Sequence, residues 1–208
     1  MLKQILRAAS LLTLFAVIGG GLVAFSFQIT EAQIKANERA ALVRTLNTLI
    51  PPEHYDNDLL KDTLEMQNEA LLGTNELVTI YRARKGGQPI GVVLSPEAPD
   101  GYNGRMRLLV GIDYQGSLMG VRVLSHQETP GLGDKIEVRR SDWIFGFNGR
   151  SLNNPKKGGW KVKRDGGIFD QFTGASITPR AVVKAVHKTL RFYQQYQNEV
   201  FATTKINK

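Results

Sequence analysis

Three hydroxyl side chains crowd a short stretch near the C-terminal end of the chain. Residues 173–180 have the sequence TGASITPR, so Thr173, Ser176 and Thr178 surround a Gly-Ala pair directly before a helix-like run. A nucleophile elbow needs G-x-S-x-G, and Thr178 at the last position excludes it. A hydroxyl in a tight turn at the positive end of a helix suits a phosphate ester as well as a bound anion. We expect Thr178 to cap the helix and Thr173 to close the turn.

A second polar segment lies where a predicted strand ends, at residues 125–133, SHQETPGLG. Its glycines, Gly131 and Gly133, let the backbone approach a flat or phosphorylated ligand because they carry no side chain. Glu128 and Thr129 offer a carboxylate and a hydroxyl to the polar edge of a ring. The same residues would also build an ordinary strand-to-helix turn, so the segment alone leaves both interpretations open.

The composition restricts the chemistry that these segments can support. The 208 residues include no cysteine, which excludes disulfides, thiolate zinc sites and cysteine-ligated iron–sulfur clusters within the chain. His54, His126 and His187 are widely separated, so no metal site is predicted. We expect His126 to pack at the end of a strand rather than to donate a proton, and His187 to pack or face solvent on its helix. Redox chemistry would therefore need an organic cofactor or an electron carrier that belongs to another protein.

The formal charge of +8 invites a nucleic-acid interpretation. The densest basic group, residues 139–164, is interrupted by Gly, Asn, Trp and Phe, and no recognised nucleic-acid motif accompanies it. The pattern favours a solvated or phosphate-facing basic surface, and nucleic acid is not a predicted partner.

The N-terminal segment can cross a membrane. Residues 8–29 contain no charged side chain, and a helix of that length spans a hydrocarbon core of about 30 Å. We predict an uncleaved anchor over residues 1–30, because no clear A-x-A-type cleavage site precedes the next helix. Lys3 and Arg7 before the span predict a cytoplasmic N-terminus and an exported remainder.

Helix signals follow the anchor. Apolar positions at helical spacing predict a helix over residues 31–50, which Pro51 ends. A short helix is predicted over residues 59–72. Together these segments make a helical linker region at 31–75.

The domain predicted at residues 76–208 begins with strand signals. Four β-branched runs, starting near residues 77, 89, 105 and 118, are separated by Gly-rich turns and predict an antiparallel sheet. A Gly/Pro turn then opens a further predicted helix, and a terminal helix is predicted over residues 179–198. The order helix, sheet, helix predicts an α+β fold.

The two polar segments together resemble a known family. HQETPGLG, followed about forty residues later by TGASIT, is similar to the FMN-binding domain shared by two proteins: the G subunit of the Rnf (Rsx) electron-transport complex and the C subunit of the sodium-pumping NADH:quinone oxidoreductase. The resemblance covers nearly the whole chain, including the anchor, GYNGRMRLLVGID, SDWIFGF and the terminal helix. The chain length and the run FDQFTGASITPRAVV are closer to the Rnf G subunit.

This resemblance implies a covalent flavin. In the family, a flavin transferase esterifies the phosphate of FMN to the hydroxyl at the fourth position of a Ser/Thr-Gly-Ala-Thr motif. The fourth residue here is Ser176, which offers the same oxygen without the methyl group. The residues expected to shape the turn around it are Thr173, Gly174, Ala175, Ile177 and Thr178. Those expected to line the isoalloxazine ring are Glu128, Thr129, Gly131 and Leu132. Lys163 and Arg180 are candidate phosphate neighbours.

The resemblance also implies a function. It is electron relay by FMN inside a multi-subunit complex of the bacterial inner membrane, which links NADH and ferredoxin redox chemistry to ion transport. The single-pass subunit would place its domain in the periplasm and have no complete catalytic activity alone. Expected partners are the other subunits, the membrane and the flavin transferase during maturation. A membrane-anchored scaffold without a cofactor and a free exported flavoprotein are the alternative interpretations.

Overall fold

The structure is a computed structural model that describes residues 1–156 and 158–202; the end of the predicted domain, residues 203–208, lies outside them. The α-helices in this part of the chain are α1 (Leu2–Asn47), α2 (Glu69–Leu72) and α3 (Ile177–Phe201). The strands are β1 (Thr63–Met66), β2 (Val78–Lys85), β3 (Gln88–Leu94), β4 (Glu97–Ala98), β5 (Met106–Asp113) and β6 (Leu118–Ser125). Short 3-10 helices cover Pro52–His54, Asp134–Ile136, Asp142–Phe147 and Lys163–Asp165. The fold class is α+β, as predicted.

Helix α1 is continuous through the predicted anchor and most of the helix predicted over residues 31–50. Its most apolar window of 18 residues has a mean hydropathy of 2.1, and side chains such as Phe15 and Val23 are largely exposed. A helix of this length and composition can cross a membrane. The chain forms two compact units, Met1–Arg44 and Thr45–Lys208.

The sheet is antiparallel throughout. Its strands follow the order β1-β2-β3-β5-β6, and β4 continues β3 beside β5 in the same register. The four runs predicted as strands are β2, β3, β5 and β6, which confirms that prediction. Gly86 and Gly87 both have positive φ, 57° and 77°. A two-residue turn of this kind matches the twist of the β2–β3 hairpin.

The helix predicted over residues 59–72 is wrong. Residues Thr63–Met66 form β1, which pairs with β2 along its outer edge, and only Glu69–Leu72 are helical. Asn68 separates the two elements, because its side chain accepts a hydrogen bond from the Leu71 amide and so caps a new helix. Pairing with a strand that follows in the sequence has overridden the local helix propensity.

The helix predicted after residue 133 is replaced by two 3-10 helices, Asp134–Ile136 and Asp142–Phe147. Ser141 lies between them. Its hydroxyl donates to the Lys135 carbonyl at 2.7 Å and accepts from the Trp143 amide at 3.2 Å. One side chain therefore joins the end of the first segment to the start of the second, and a continuous helix does not form.

Both faces of the sheet are buried. Helix α3 covers one face, where alternate strand residues such as Ile80, Val92 and Leu108 join its apolar side in a single core. The opposite face is covered by the chain around Leu49, which is 2 % exposed. Beneath Leu49 the paired residues Gly111 and Gly120 leave room, since a Cβ at either would lie 3.1 or 3.0 Å from the leucine.

The C-terminal end of α3 is fixed to β2. The Arg82 guanidinium, on a residue 6 % exposed, donates to the carbonyls of Val200 and Ala202 at 3.4 and 3.2 Å. Asp62 accepts a 2.6 Å hydrogen bond from Nε of that guanidinium. A basic group at the last carbonyls of a helix satisfies them and complements the helix dipole. This fixes the C-terminal end of the helix that follows the hydroxyl motif.

Candidate functional site

The two polar segments meet in one cleft of about 530 Å³, within the size range of about 300–1,000 Å³ typical of small-molecule and cofactor sites. One wall is the loop that follows β6, and the other is the turn leading into α3. The lining residues are Tyr102, Glu128, Thr129, Leu132, Gly133, Gly174, Ala175, Ser176, Ile177 and Thr178. Segments separated by about forty residues in sequence therefore form a single site.

The three hydroxyls of the motif occupy three different environments. Thr178 is fully buried and donates to a carboxylate oxygen of Glu128. Thr173 is exposed and lies outside the lining of the cleft. Ser176 is half-buried, lines the cleft, and immediately precedes α3 without making a side-chain capping bond.

The prediction that Thr178 caps α3 is wrong. The helix begins one residue earlier, at Ile177, so that Thr178 lies inside the first turn and its side chain points to Glu128. The N-cap position belongs to Ser176, whose backbone is already near the helical region (φ −76°, ψ −22°). A capping serine normally has extended backbone there, which explains why its hydroxyl is not used as a cap.

Glu128 ties three segments together. It is 4 % exposed; one carboxylate oxygen accepts from the Thr178 hydroxyl, and the other accepts from the Asn103 amide at 3.1 Å. We call Glu128, Asn103 and Thr178 the Glu128 clamp. A buried carboxylate that accepts two hydrogen bonds avoids most of its desolvation penalty and fixes the groups that donate to it. The clamp thereby sets the position of the first turn of α3 relative to both loops.

His126 supports the clamp from behind the cleft. Its Nδ1 accepts from the Glu128 amide at 3.1 Å, which leaves the proton on Nε2, 2.7 Å from the Glu137 carboxylate. Hydrogen bonds from Arg139 and from His126 lower the pKa of Glu137 to about 2. The ring does not line the cleft, in keeping with a packing role rather than proton donation to a ligand.

Glycines give the cleft its shape. A Cβ at Gly133 would lie 2.8 Å from Cβ of Glu128 and 3.0 Å from the Thr178 hydroxyl, so the clamp closes only around a residue without a side chain. Gly174 has φ +81°, a conformation that favours glycine, and a Cβ there would lie 3.2 Å from Leu132 across the cleft. The turn before Ser176 therefore needs glycine for both backbone and space.

Eight of the ten predicted site residues line the cleft. Thr173 and Gly131 do not. Gly131, with φ +78°, is exposed and shapes the loop instead. Of the two candidate phosphate neighbours, Lys163 pairs with Asp170 and Arg180 with Asp165, each at 2.6 Å, and neither lines the cleft.

Two residues of the site had no signal of their own in the sequence. Tyr102, 65 % exposed, contributes an aromatic ring to the rim. Asn103 acts through its backbone amide on Glu128 and through its side chain, which donates to the Thr129 hydroxyl at 3.2 Å. Both lie in the segment GYNG, whose resemblance to the family was the only available indication.

The start of helix α3 can bind an anion beside Ser176, although the charged side chain in the lining of the cleft is the Glu128 carboxylate. Helix α3 is 25 residues long, and its first amides, at Ile177 and Thr178, have no acceptor earlier in the helix. The positive end of the helix dipole therefore faces the cleft. Among the described residues no cluster of His, Cys, Asp or Glu could hold a metal ion.

The comparisons with known proteins agree with this geometry at the level of domains. Residues 101–191, which contain every residue of the cleft, match the FMN-binding domain, and residues 1–49 match the RnfG N-terminal region. The fold and the site thus define a protein with an N-terminal apolar helix and an FMN-binding domain.

Relatives identify the particular family. The chain is 50% identical over 200 residues to the G subunit of the ion-translocating oxidoreductase complex of Pseudomonas aeruginosa, covering 96% of this chain and 94% of that one. It is 47% identical to the protein of the same name from Shewanella loihica (95% and 93% covered) and 46% identical to that from Vibrio cholerae (96% and 95% covered). The chain belongs to the family formed by the G subunits of ion-translocating oxidoreductase complexes.

The residues of the cleft fit FMN. The phosphate would lie against the first turn of α3, and the flat ring against the apolar side chains of Leu132, Ile177 and Tyr102. Gly133 and Gly174 keep the space between the two walls free of side chains. A flavin nucleotide needs both features, because its phosphate requires an anion-binding group such as a helix N-terminus and its ring requires an apolar wall.

Proposed function

We propose that the chain carries FMN as a phosphoester on Ser176 and relays electrons within a membrane-bound ion-translocating oxidoreductase complex, between NADH and ferredoxin. The observation that carries the proposal is that the three hydroxyls differ in burial and in their position relative to the cleft. Thr178 is buried and committed to Glu128, and Thr173 lies outside the cleft, whereas Ser176 lines it at the start of α3.

The bound cofactor supplies electron transfer in steps of one or two electrons, and the protein supplies its position and electrostatics. In that division of roles, the Glu128 clamp fixes the first turn of α3 and the loop that ends at Gly133. Thr129, held by the Asn103 side chain, presents a hydroxyl at the polar edge of the cleft. Leu132, Ile177 and Tyr102 form an apolar rim that reduces water contact with the ring.

Attachment needs an activated flavin donor and a separate enzyme. In the proposed step, Oγ of Ser176 gains a bond to phosphorus and loses its proton to a base of a flavin transferase. The pyrophosphate bond of a flavin dinucleotide breaks, and the donor releases a nucleoside monophosphate. Partial exposure of Ser176 supports such access. The positive end of α3 stabilises the phosphate of the product.

We also infer that the domain faces the periplasm and that α1 anchors it in the bacterial inner membrane. Lys3 and Arg7 precede the apolar part of α1, and positive charge is retained on the cytoplasmic side. The other subunits of the complex are then the electron-transfer partners. A reporter enzyme that works only after export should be active when it is fused to the C-terminus of the chain. Activity of a fused reporter that works only in the cytoplasm would contradict this orientation.

The direct test is the mass of one tryptic peptide. Residues 165–180 lie between two arginine cleavage sites and contain all three hydroxyls of the motif. In protein from a host with a flavin transferase, this peptide should carry FMN less one water, and fragmentation should locate it on Ser176. Thr173→Ser is the matched control, because it changes a nearby hydroxyl residue outside the cleft, keeps the Ser/Thr position of the motif, and should retain the modification.

Ser176→Ala should abolish flavin fluorescence that survives denaturation, and Ser176→Thr should retain it. FMN on Thr173 or Thr178, or an unmodified peptide from a host whose other flavoproteins of this kind are modified, would refute the attachment. A colourless wild-type protein would favour the scaffold without a cofactor. A mature chain that lacks the apolar segment would favour the free exported flavoprotein.

A further inference from the structure

The net positive charge of the chain is concentrated in one stretch of sequence. Residues 150–191 contain ten Lys and Arg residues against two Asp, a balance of +8 that equals the formal charge of the whole chain. Outside this stretch, acidic and basic residues are equal in number. An excess of positive charge that is confined to one stretch creates a strong local electrostatic field, whereas the same charge spread over the surface would mainly favour solubility.

Part of the excess forms a stripe on α3. Arg180, Lys184, Lys188 and Arg191 follow one another at spacings of four, four and three residues. Residues three or four apart on a helix lie on the same face. The opposite face of α3 packs on the sheet, so this stripe is the side of the helix that points away from the core.

The preceding loop adds two more basic residues to that stripe. A cleft of about 450 Å³ is lined by Lys161 together with Arg180 and Lys184, and an adjacent cleft of about 490 Å³ is lined by Lys156. Trp160 and His187, whose rings stack at 5.3 Å, form the wall shared by both clefts. We call the resulting surface the basic face. Its members are Lys156, Lys161, Arg180, Lys184, Lys188 and Arg191.

Only part of the basic face is neutralised within the chain. Arg180 pairs with Asp165, and Lys184 pairs with Asp100. Among the described residues, the remaining members of the face have no ion pair with a carboxylate: Lys156, Lys161, Lys188 and Arg191.

His187 lies beside part of this charge, next to Arg191. Burial lowers the pKa of the His187 ring, and the neighbouring Arg191 lowers it further. Like charges gathered on one face repel one another, and an acidic partner removes that repulsion.

We propose that the basic face docks on an acidic surface of another subunit of the complex. This inference rests on the proposed function, because it takes the chain to be one subunit among several. The face lies on α3, which is fixed at its C-terminal end by Arg82, so its charges are arranged on a rigid element. Rigid charge patterns set the orientation of two proteins more than they add affinity.

Two features favour a protein over an anionic lipid surface. Asp165 and Asp100 lie within the face, paired with Arg180 and Lys184, and a uniformly negative lipid surface would repel both carboxylates. A protein surface can instead match a pattern of mixed sign. The stacked Trp160 and His187 add clefts that side chains of a partner can enter.

The test compares two charge reversals of equal size in the full-length chain within its complex. Lys188→Glu/Arg191→Glu changes the basic face, and Lys61→Glu/Lys85→Glu is the matched control at exposed lysines outside it. Complexes are isolated through a tag on the chain at about 0.1 M salt, where the Debye length is about 10 Å. Quantitative mass spectrometry then measures the other subunits per chain, and the 165–180 peptide reports FMN.

The face variant should lose at least about tenfold in retained subunits, because two attractive pairs become repulsive. The control variant should match wild type, and both should keep FMN. A face variant with FMN and a full set of subunits would overturn the docking proposal alone. Absence of FMN in wild type would count against the proposed function instead, and wild-type chain isolated without other subunits would overturn both.

Zero-length carbodiimide cross-linking of the wild-type complex gives a second readout that needs no variant. Lys161 and Lys188 should couple to Asp or Glu of another subunit, while Lys61 and Lys85 should not. The lipid alternative is tested with the detergent-solubilised chain and micelles that contain phosphatidylglycerol. If the face variant binds these micelles more weakly but keeps every subunit, the face contacts lipid and the proposal is wrong.

Discussion

The substitution Thr178→Val tests whether the Glu128 clamp holds the site together. Thr178 is fully buried and its hydroxyl donates to Glu128, which is itself 4 % exposed. Valine keeps the size and shape of the side chain but removes the donor. One oxygen of a buried carboxylate is then left without its partner, while the Asn103 amide still holds the other.

The structure sets the expected size of the effect. Removing one partner of a buried polar group costs about 1–3 kcal/mol, and more when the group that remains is charged. We expect Thr178→Val to lower the free energy of unfolding by about 3 kcal/mol. For a domain of this size each kcal/mol lowers Tm by about 2–4 °C, so Tm should fall by about 6–12 °C.

The chain offers a close control on the same helix. Thr189 is also fully buried on α3, but its hydroxyl donates to the Ala185 carbonyl of its own helix at 2.9 Å. Thr189→Val makes the same chemical change without leaving a carboxylate unpaired, and it should cost less than about 1 kcal/mol.

Both variants are measured as the full chain in detergent, with urea unfolding followed by tryptophan fluorescence. If Thr178→Val costs no more than Thr189→Val, Glu128 is not held as a clamp and the account of the site is wrong. The Thr178→Val protein should also carry less FMN on Ser176, because the first turn of α3 is no longer fixed to both loops.

Two further predictions concern the surroundings of the clamp. Gly133→Ala places a Cβ 2.8 Å from a clamp side chain and should cost about 1–3 kcal/mol by overpacking; Gly146→Ala, where the added Cβ meets nothing within 4 Å, should be nearly neutral in the same unfolding assay. The folded-state pKa of Glu137, about 2, lies below its ordinary 4.5, so its stabilising effect is present above pH 4.5 and is lost as the pH falls toward 2. Glu137→Gln should therefore be destabilising at pH 6 and approach wild type at pH 2 to 3; a difference that does not shrink with falling pH would show that the hydrogen bonds from Arg139 and His126 act through something other than charge.

The parts of the fold that sequence predicted correctly depend on local chemistry. Gly86 and Gly87 mark a two-residue hairpin because few other residues take positive φ twice in succession. The β-branched runs on either side then pair as neighbours. The terminal helix was predictable because an apolar stripe and Pro179 in its first turn are signals within one segment.

Two of the errors involve partners that are distant in sequence. Thr178 meets the requirements for a cap when only its neighbours are considered, but the group that binds it, Glu128, is fifty residues away. The strand β1 exists because β2 accepts it along an edge, and residues 63–66 give no strong signal of their own. Asn103 contributes a backbone amide to the clamp, which any residue but proline could provide. The two motifs of the site could therefore be predicted from the sequence, but the contacts that join them could not.

The exposure of the cleft gives a physical reason for the proposed covalent link. Small-molecule sites usually bury about 70–90% of the ligand, yet three apolar residues of this rim, Tyr102, Leu132 and Ile177, are 65, 41 and 46 % exposed. A flavin held between them would keep an open edge for electron exchange, and the contacts alone would hold it weakly. The proposed ester at Ser176 would keep the flavin bound without closing the cleft. Ser176→Ala protein, folded and mixed with excess FMN, should therefore lose its flavin during gel filtration; if it retained one FMN per chain, burial in this cleft would be sufficient and the link would need another explanation.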